Sequence, residues 1–309
     1  MTKPAYQPGA TVQLDEQVSA DVVDPHGNLR ACKVLEWLEV VGGLAATQHC
    51  GHSVVAASVD TLTLPNALPL GSQVTLAAEV AHTSDRSIGV RIHQPGLQLE
   101  AQMTFVAVDP QGKALQVPPL GRKLASYVSP LRRRATASTA PPQGFLQRKT
   151  PRQKAYHHRA ELVRPIHLNT DGMLYGGILM HWLETLAARS AQTFLSRPVR
   201  WTGLHGLHFL KPVPPDRLVH IQAAVAHTDT DTLTILVQAR SENRDNGEQE
   251  ETLRAFLTFT PGDGKRVPSL TCDSAQEDAL FREVENLRSL RDGVRLKGLS
   301  EQFQTSAIV

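Results

Sequence analysis

Two stretches of the 309-residue chain repeat one another at a constant offset. Asp24, Gly27, Trp37, Glu39 and the pair His82-Thr83 recur as Asn169, Gly172, Trp182, Glu184 and His227-Thr228, each 145 positions later. A spacing held through loop and helix alike is the mark of one fold used twice. The copies also close alike, Val117-Pro-Pro-Leu120 being answered by Val267-Pro-Ser-Leu270. There the offset has grown to 150, because polar residues between Glu242 and Glu251 lengthen a turn in the second copy. Duplication restricts the chain to a pair of like units and puts shared chemistry where they meet.

Hydrophobic residues make up 41% of the chain, enough for a core in each copy. The expected boundaries are a first domain at 1–121, a linker at 122–151, a second domain at 152–270 and a helical tail at 271–309. Three cysteines, Cys32, Cys50 and Cys272, form no Cys-x-x-Cys pair, which argues against a disulfide framework or structural zinc and for a reducing compartment. The stretch Met1 to Asp15 has no signal-peptide core, and no run approaches the roughly 18 apolar residues of a membrane span. The expectation is a soluble cytoplasmic protein with no membrane span.

A net charge of +2 conceals an uneven distribution. Ten Lys and Arg and no acid lie between Arg122 and Arg159, so the other 22 basic residues face 30 acidic ones, a net of −8. With Ser138-Thr-Ala-Pro-Pro142 inside it, this stretch reads as a solvated connector or as a basic rim for substrate phosphates. No recognition helix or stacking motif accompanies the charge, and a nucleic-acid partner is not expected.

Each copy reads as strand, helix, then several strands, an α+β layer of one helix on a mostly antiparallel sheet. The second copy begins with a strand in Tyr156–Arg164 and a Gly-containing loop, His167–Tyr175. Ile178, Leu179, Trp182, Leu183, Leu186 and Ala187 then give Gly177–Phe194 the buried stripe of a helix. Strand candidates follow at Gly203–Leu210, Leu218–His227, Thr232–Ser241 and Thr252–Thr260. The first copy has a helix at Cys32–Cys50 and strands at Val54–Leu64, Gln73–Thr83, Ile88–His93 and Leu97–Val108. In the tail, Leu280, Val284, Leu287 and Leu290 have helical spacing, read as a helix that docks on one repeat rather than a partner-binding arm.

The most specific segment is His167-Leu-Asn-Thr-Asp-Gly-Met-Leu-Tyr-Gly-Gly-Ile-Leu-Met-His-Trp-Leu-Glu184. It resembles the Asn-x-x-Gly…Gly-Gly…Trp-x-Asp/Glu signature of the hotdog-fold acyl-CoA thioesterases. The first copy departs from that signature, with Asp24 for the Asn and Ala31-Cys32 for the glycine pair. Its Asp24-Pro-His-Gly27 start is more similar to the 4-hydroxybenzoyl-CoA thioesterase branch of the superfamily. The resemblance spans roughly residues 15 to 120 and 156 to 270. It implies a tandem (double) hotdog whose two copies pair side by side, each site joining the loop of one to the helix carboxylate of the other. One site would hold Asn169, Gly176, Gly177 and Glu39; the other Asp24, Ala31, Cys32 and Glu184. The first keeps amide, glycines and carboxylate and is the expected working site, whereas the second brings two acids together, as an acid/base pair or a degenerate site.

Physical chemistry gives these residues the same roles. Thioester hydrolysis needs donors for an oxyanion, which unpaired N–H groups at a helix start supply. Gly176 and Gly177 would let a carbonyl approach closely; alternatively they permit a tight helix–sheet contact. Glu39 and Glu184, each after Trp-Leu, can activate water or attack the carbonyl, or can simply sit on a wet helix face. Asn169 would orient water or substrate.

Arg86 and Ser87 follow a strand in a turn, and could hold a coenzyme A phosphate or be a solvated turn. His205 and His208, three apart on a strand, make a poor metal pair, and no metal is expected. Cys32 heads a helix, with no His partner evident in the sequence, and reads as a packing cysteine. The reading is an acyl-CoA thioesterase that needs no cofactor beyond the coenzyme A of its substrate. The resemblance further implies a homo-oligomer, a trimer of double hotdogs. The alternatives are a non-catalytic acyl-CoA-binding or regulatory hotdog protein and a hotdog hydratase, whose usual loop Asp and His pair Asp24 and His26 match poorly.

Overall fold

The computed structural model describes residues 11–23, 27–64, 68–96, 99–121, 155–169, 172–271, 275 and 277–287. The basic stretch 122–154, Asp24, His26 and Leu290 lie outside the described residues. The first copy contains β1 (Val12–Gln17), α1 (Ala31–Cys50), β2 (Ser53–Thr63), β3 (Gln73–Thr83), β4 (Ser87–His93) and β5 (Glu100–Val108). The second contains β6 (His157–Leu162), α2 (Gly176–Leu195), β7 (Val199–Phe209), β8 (Leu218–Thr228), β9 (Leu233–Glu242) and β10 (Gln249–Pro261). Element order follows the expected pattern. Boundaries move by a few residues, most at β7, which starts four residues early, and at β10, which runs from Gln249 as the long hairpin with β9 extends its pairing.

The strands form one antiparallel sheet in the order β1-β3-β4-β5-β2-β7-β10-β9-β8-β6. Its two five-stranded halves join where β2 pairs with β7, through Ser58↔His208 and Thr63↔Gly203. Advancing 58 and 63 by 145 gives 203 and 208, so the repeat exchanges these two pairs and the seam is the axis of duplication. Gly203 is required there, because a Cβ would stand 2.9 Å from the Leu62 carbonyl oxygen.

Both helices lie on the same sheet and touch each other. Trp37, Leu38, Val41 and Ala45 of α1, with Trp182, Leu183, Leu186 and Ala187 of α2, are buried in one cluster that continues through both halves. Gly42 brings α1 down onto the sheet, since a Cβ there would be 2.9 Å from the Phe105 ring. Removing this shared apolar surface from water is the main force that favours the fold.

The repeated closing motifs have a structural reason. The Thr83 hydroxyl accepts the Leu120 N–H at 2.8 Å, and the Thr228 hydroxyl accepts the Leu270 N–H at the same distance. Val117 N–H donates to Asp85 and Val267 N–H to Thr230 in the same way. Residues 277–287 are helical and cover the outside of the second half, where Leu280 and Val284 bury against Ala226, Leu236 and Phe256. Arg254 pairs with Glu283 across that contact at 2.7 Å.

Candidate functional site

α2 begins at Gly176-Gly177, after a loop closed by Asn169. Its Oδ1 accepts the Met173 N–H at 3.0 Å, and its backbone N–H donates to the Met173 carbonyl. Gly172, at φ +75°, takes the left-handed turn that this loop needs. The N–H groups of Gly176 and Gly177 stand in the first helical turn, where no i−4 carbonyl exists to accept them. A side chain at each place would meet a different neighbour. A Cβ on Gly176 would lie 3.1 Å from Glu39 Oε2, whereas one on Gly177 would lie 2.8 Å from the Tyr175 ring.

Glu39 therefore reaches from the first repeat to the helix start of the second. It lines a pocket with Leu35, Val59, Met103, Met180 and Phe209, drawn from both copies, and with Glu36 and Gly177 at its polar side. Burial, and then the charge of Glu36 one turn earlier on the same helix, raises the Glu39 carboxyl to about 7. The Glu36 carboxylate pairs with Lys33 at 2.9 Å. Burial and these two acids hold the Tyr175 phenol protonated well above its usual range.

The mirror position is chemically different. Glu184 Oε2 accepts the Cys32 N–H at 2.9 Å, occupying the donor equivalent to Gly177 N–H. Ala31 opens the helix and Arg30, at the N-cap, donates to the Val23 carbonyl at 2.8 Å. His181 Nδ1 stands 3.7 Å from Cys32 Sγ, a neighbour that sequence separation concealed. Burial first, and Glu184 second, push the Cys32 thiol far up, as suits a packed thiol rather than a nucleophile. Asp24, the other acid expected here, lies outside the described residues.

Thus Glu39, Gly176 and Gly177 come together, with Asn169 holding the loop that delivers the glycines. Ser87 is buried with its hydroxyl 2.6 Å from that of Ser84, closing the β3–β4 turn, and Arg86 is exposed beside it. His205 is buried in β7, and among the described residues no group of three or more His, Cys, Asp or Glu could hold a metal ion. Sequence reasoning missed Glu36, Tyr175 and His181. Glu36 was findable as the residue three before Glu39, on the same helix face, and His181 is its equivalent 145 positions later.

Residues 171–248 match the model of the thioesterase superfamily. Over 93% of its length the chain is 25% identical to acyl-coenzyme A thioesterase 11 of Mus musculus, covering 54% of that protein. It is 28% identical to an acetyl-coenzyme A thioesterase of Rattus norvegicus, with 68% of this chain and 41% of the relative aligned. The chain thus spans about half the length of these curated relatives. A crystal structure from Lactobacillus plantarum, described as a candidate oleoyl thioesterase, superposes with a TM-score of 0.61 at 10% identity. It covers 82% of this chain and 97% of its own, a likeness of fold alone. Among the described residues no helix is long and apolar enough to cross a membrane. Residues 171–248 thus resemble the thioesterase superfamily, on a chain similar over most of its length to a curated acyl-CoA thioesterase.

Proposed function

We propose that the chain is an acyl-CoA thioesterase built as a tandem hotdog, with units at 1–121 and 152–270, the linker 122–151 between them and the tail 271–309 after them. One site works, at Glu39, Gly176, Gly177 and Asn169. The observation that carries this reading is the first-repeat carboxylate lying 3.1 Å from the Cβ direction of a second-repeat helix start. An acidity near neutral suits Glu39 to take a proton from water and return it to the leaving thiolate. The carbonyl oxygen would gather negative charge beside the Gly176 and Gly177 N–H groups, aided by the positive end of α2. Asn169 holds the loop and offers an amide to water or thioester.

Leu35, Val59, Met103, Met180 and Phe209 give the recess beside Glu39, about 260 Å³ with its mouth included, an apolar wall, in keeping with the acyl side of a thioester meeting the protein there. Glu184 on the Cys32 N–H supports a closed mirror site. In the same proposal the protein is cytoplasmic, in keeping with free Cys32 and Cys50, and self-associates, in keeping with exposed Val40 and Leu44 one turn apart on α1. Thiol release from a panel of acyl-CoA thioesters tests the activity. Release that falls by a factor of about 100 or more in Glu39→Gln supports it, and absence of release from every thioester by the folded parent would remove it.

A further inference from the structure

The loop that delivers Gly176 and Gly177 is closed at its base by His167, a residue the proposed hydrolysis does not use. Its carbonyl accepts the N–H of Tyr175, immediately before α2, at 2.9 Å. Its own N–H donates to the Arg164 carbonyl at 2.8 Å, in the single helical turn Pro165–His167 that leads into the loop. The first repeat makes the same two backbone bonds 145 positions earlier, Arg30 N–H to the Val22 carbonyl at 3.0 Å and Val22 N–H to the Ser19 carbonyl at 3.3 Å. The bridges beside them, Leu168↔Leu174 and Val23↔Leu29, also correspond. The backbone of the loop base is therefore common to both copies, but the side chain is not. His167 Nδ1 accepts the Arg164 N–H at 3.2 Å, and the imidazole stands edge-on to Trp182 of α2, with ring centres 5.2 Å apart at 83°. Val22, its equivalent, has neither an acceptor nor a ring.

Resting on the thioesterase reading, we propose that His167 is a positioning residue whose imidazole fixes the base of the Asn169 loop to α2, so that the helix starts opposite Glu39. The need for it lies in the glycine pair. Two glycines in a first turn hold the backbone less firmly than Ala31-Cys32 do in the other copy, where Glu184 also caps the Cys32 N–H. His167 supplies the missing restraint from outside the helix. One contact ties it to Arg164, at the end of the segment that follows β6, and the other to Trp182, which is buried in the shared core. Nδ1 receives an N–H, so what the first contact requires at that place is an acceptor. His167 touches Arg164 and Trp182, and acts through the loop rather than on the thioester.

Steady-state hydrolysis of the best acyl-CoA by the full chain, together with amide hydrogen exchange at Asn169 and Tyr175, tests this role. Both amides are bonded within the loop, to the Met173 and His167 carbonyls. His167→Ala is expected to lower kcat about tenfold with KM within about twofold, and to speed exchange at both amides about tenfold. His167→Asn sets a carbonyl oxygen near the place of Nδ1 and should recover most of both losses. His167→Phe keeps a ring against Trp182 and loses only the acceptor; should His167→Ala fail to fold, a fall in kcat and faster exchange are expected of it instead. Val22→Ala trims the equivalent side chain beside the other helix start, and should lower the urea midpoint while kcat stays within about twofold of the parent. No loss of kcat on removing the imidazole, no recovery in His167→Asn, or an equal loss in Val22→Ala would overturn the role. Parent-like exchange in His167→Ala would overturn it whether or not thiol is released. Glu39→Gln, run alongside, separates the two levels: if it stays active the underlying site is wrong, and if it is dead while His167→Ala behaves like the parent only the role of His167 is wrong.

Discussion

At the residue scale, the proposed chemistry depends on where two equivalent glutamates put their oxygens. Glu39 faces a pair of glycines and remains partly unsolvated at an acidity near neutral. Glu184 faces Ala31-Cys32 and is taken up by a backbone N–H. The carboxyl of Glu39 is raised from 4.5 to about 7, so the folded state holds its proton more tightly than the unfolded chain. Stability from this group is therefore full below pH 4.5 and is lost as pH rises toward 7. That loss is on the order of 3 kcal/mol. Glu39→Gln should stabilise the protein at pH 8 and leave it little changed at pH 4.5, as read from urea midpoints at the two pH values. Glu184→Ala should act oppositely, lowering stability by about 1 kcal/mol through loss of a helix cap. An unchanged urea midpoint in Glu184→Ala would sink the capping role.

At the scale of elements, the sequence made the helices and most strands legible because their apolar spacing is what the sheet buries. Trp-Leu-Glu recurs since Trp37 and Trp182 anchor the core, Leu38 and Leu183 are wholly buried, and the glutamates both reach across the helix pair. Ser87, read as a phosphate contact or a solvated turn, is buried with its hydroxyl against that of Ser84, a contact within the turn that spacing alone does not reveal. The approach of His181 to Cys32 was hidden because the two lie 149 apart in sequence. The helix at 277–287 makes a separate prediction. Leu280 and Val284 fill a small cluster on the outer face of the sheet. Leu280→Ala should cost about 2 kcal/mol, at the low end for a buried leucine, while kcat stays near the parent value. A drop in kcat equal to that of Glu39→Gln would tie the tail to the site instead.

For the molecule as a whole, the two repeats share one sheet and one main core. The β2–β7 seam and the shared cluster around α1 and α2 mean that neither half would keep its edge strand paired or its apolar face covered alone. Residues 1–121 and 152–309 made separately should be inactive and prone to self-association, and should regain part of the hydrolysis on mixing. Hydrolysis at the parent rate by 152–309 alone would leave no role for Glu39. The proposed self-association of the intact chain is checked by light scattering, where a mass near three times 33.8 kDa is expected.

The shared site is tested most directly by comparing Glu39→Gln with Glu184→Gln in the full chain, using thiol release at saturating acyl-CoA and equal amounts of folded protein. Catalysis by the first-repeat carboxylate at the second-repeat helix start predicts a loss of at least about 100-fold for Glu39→Gln and a change within about threefold for Glu184→Gln. Equal losses in the two, or a deep loss confined to Glu184→Gln, would contradict it.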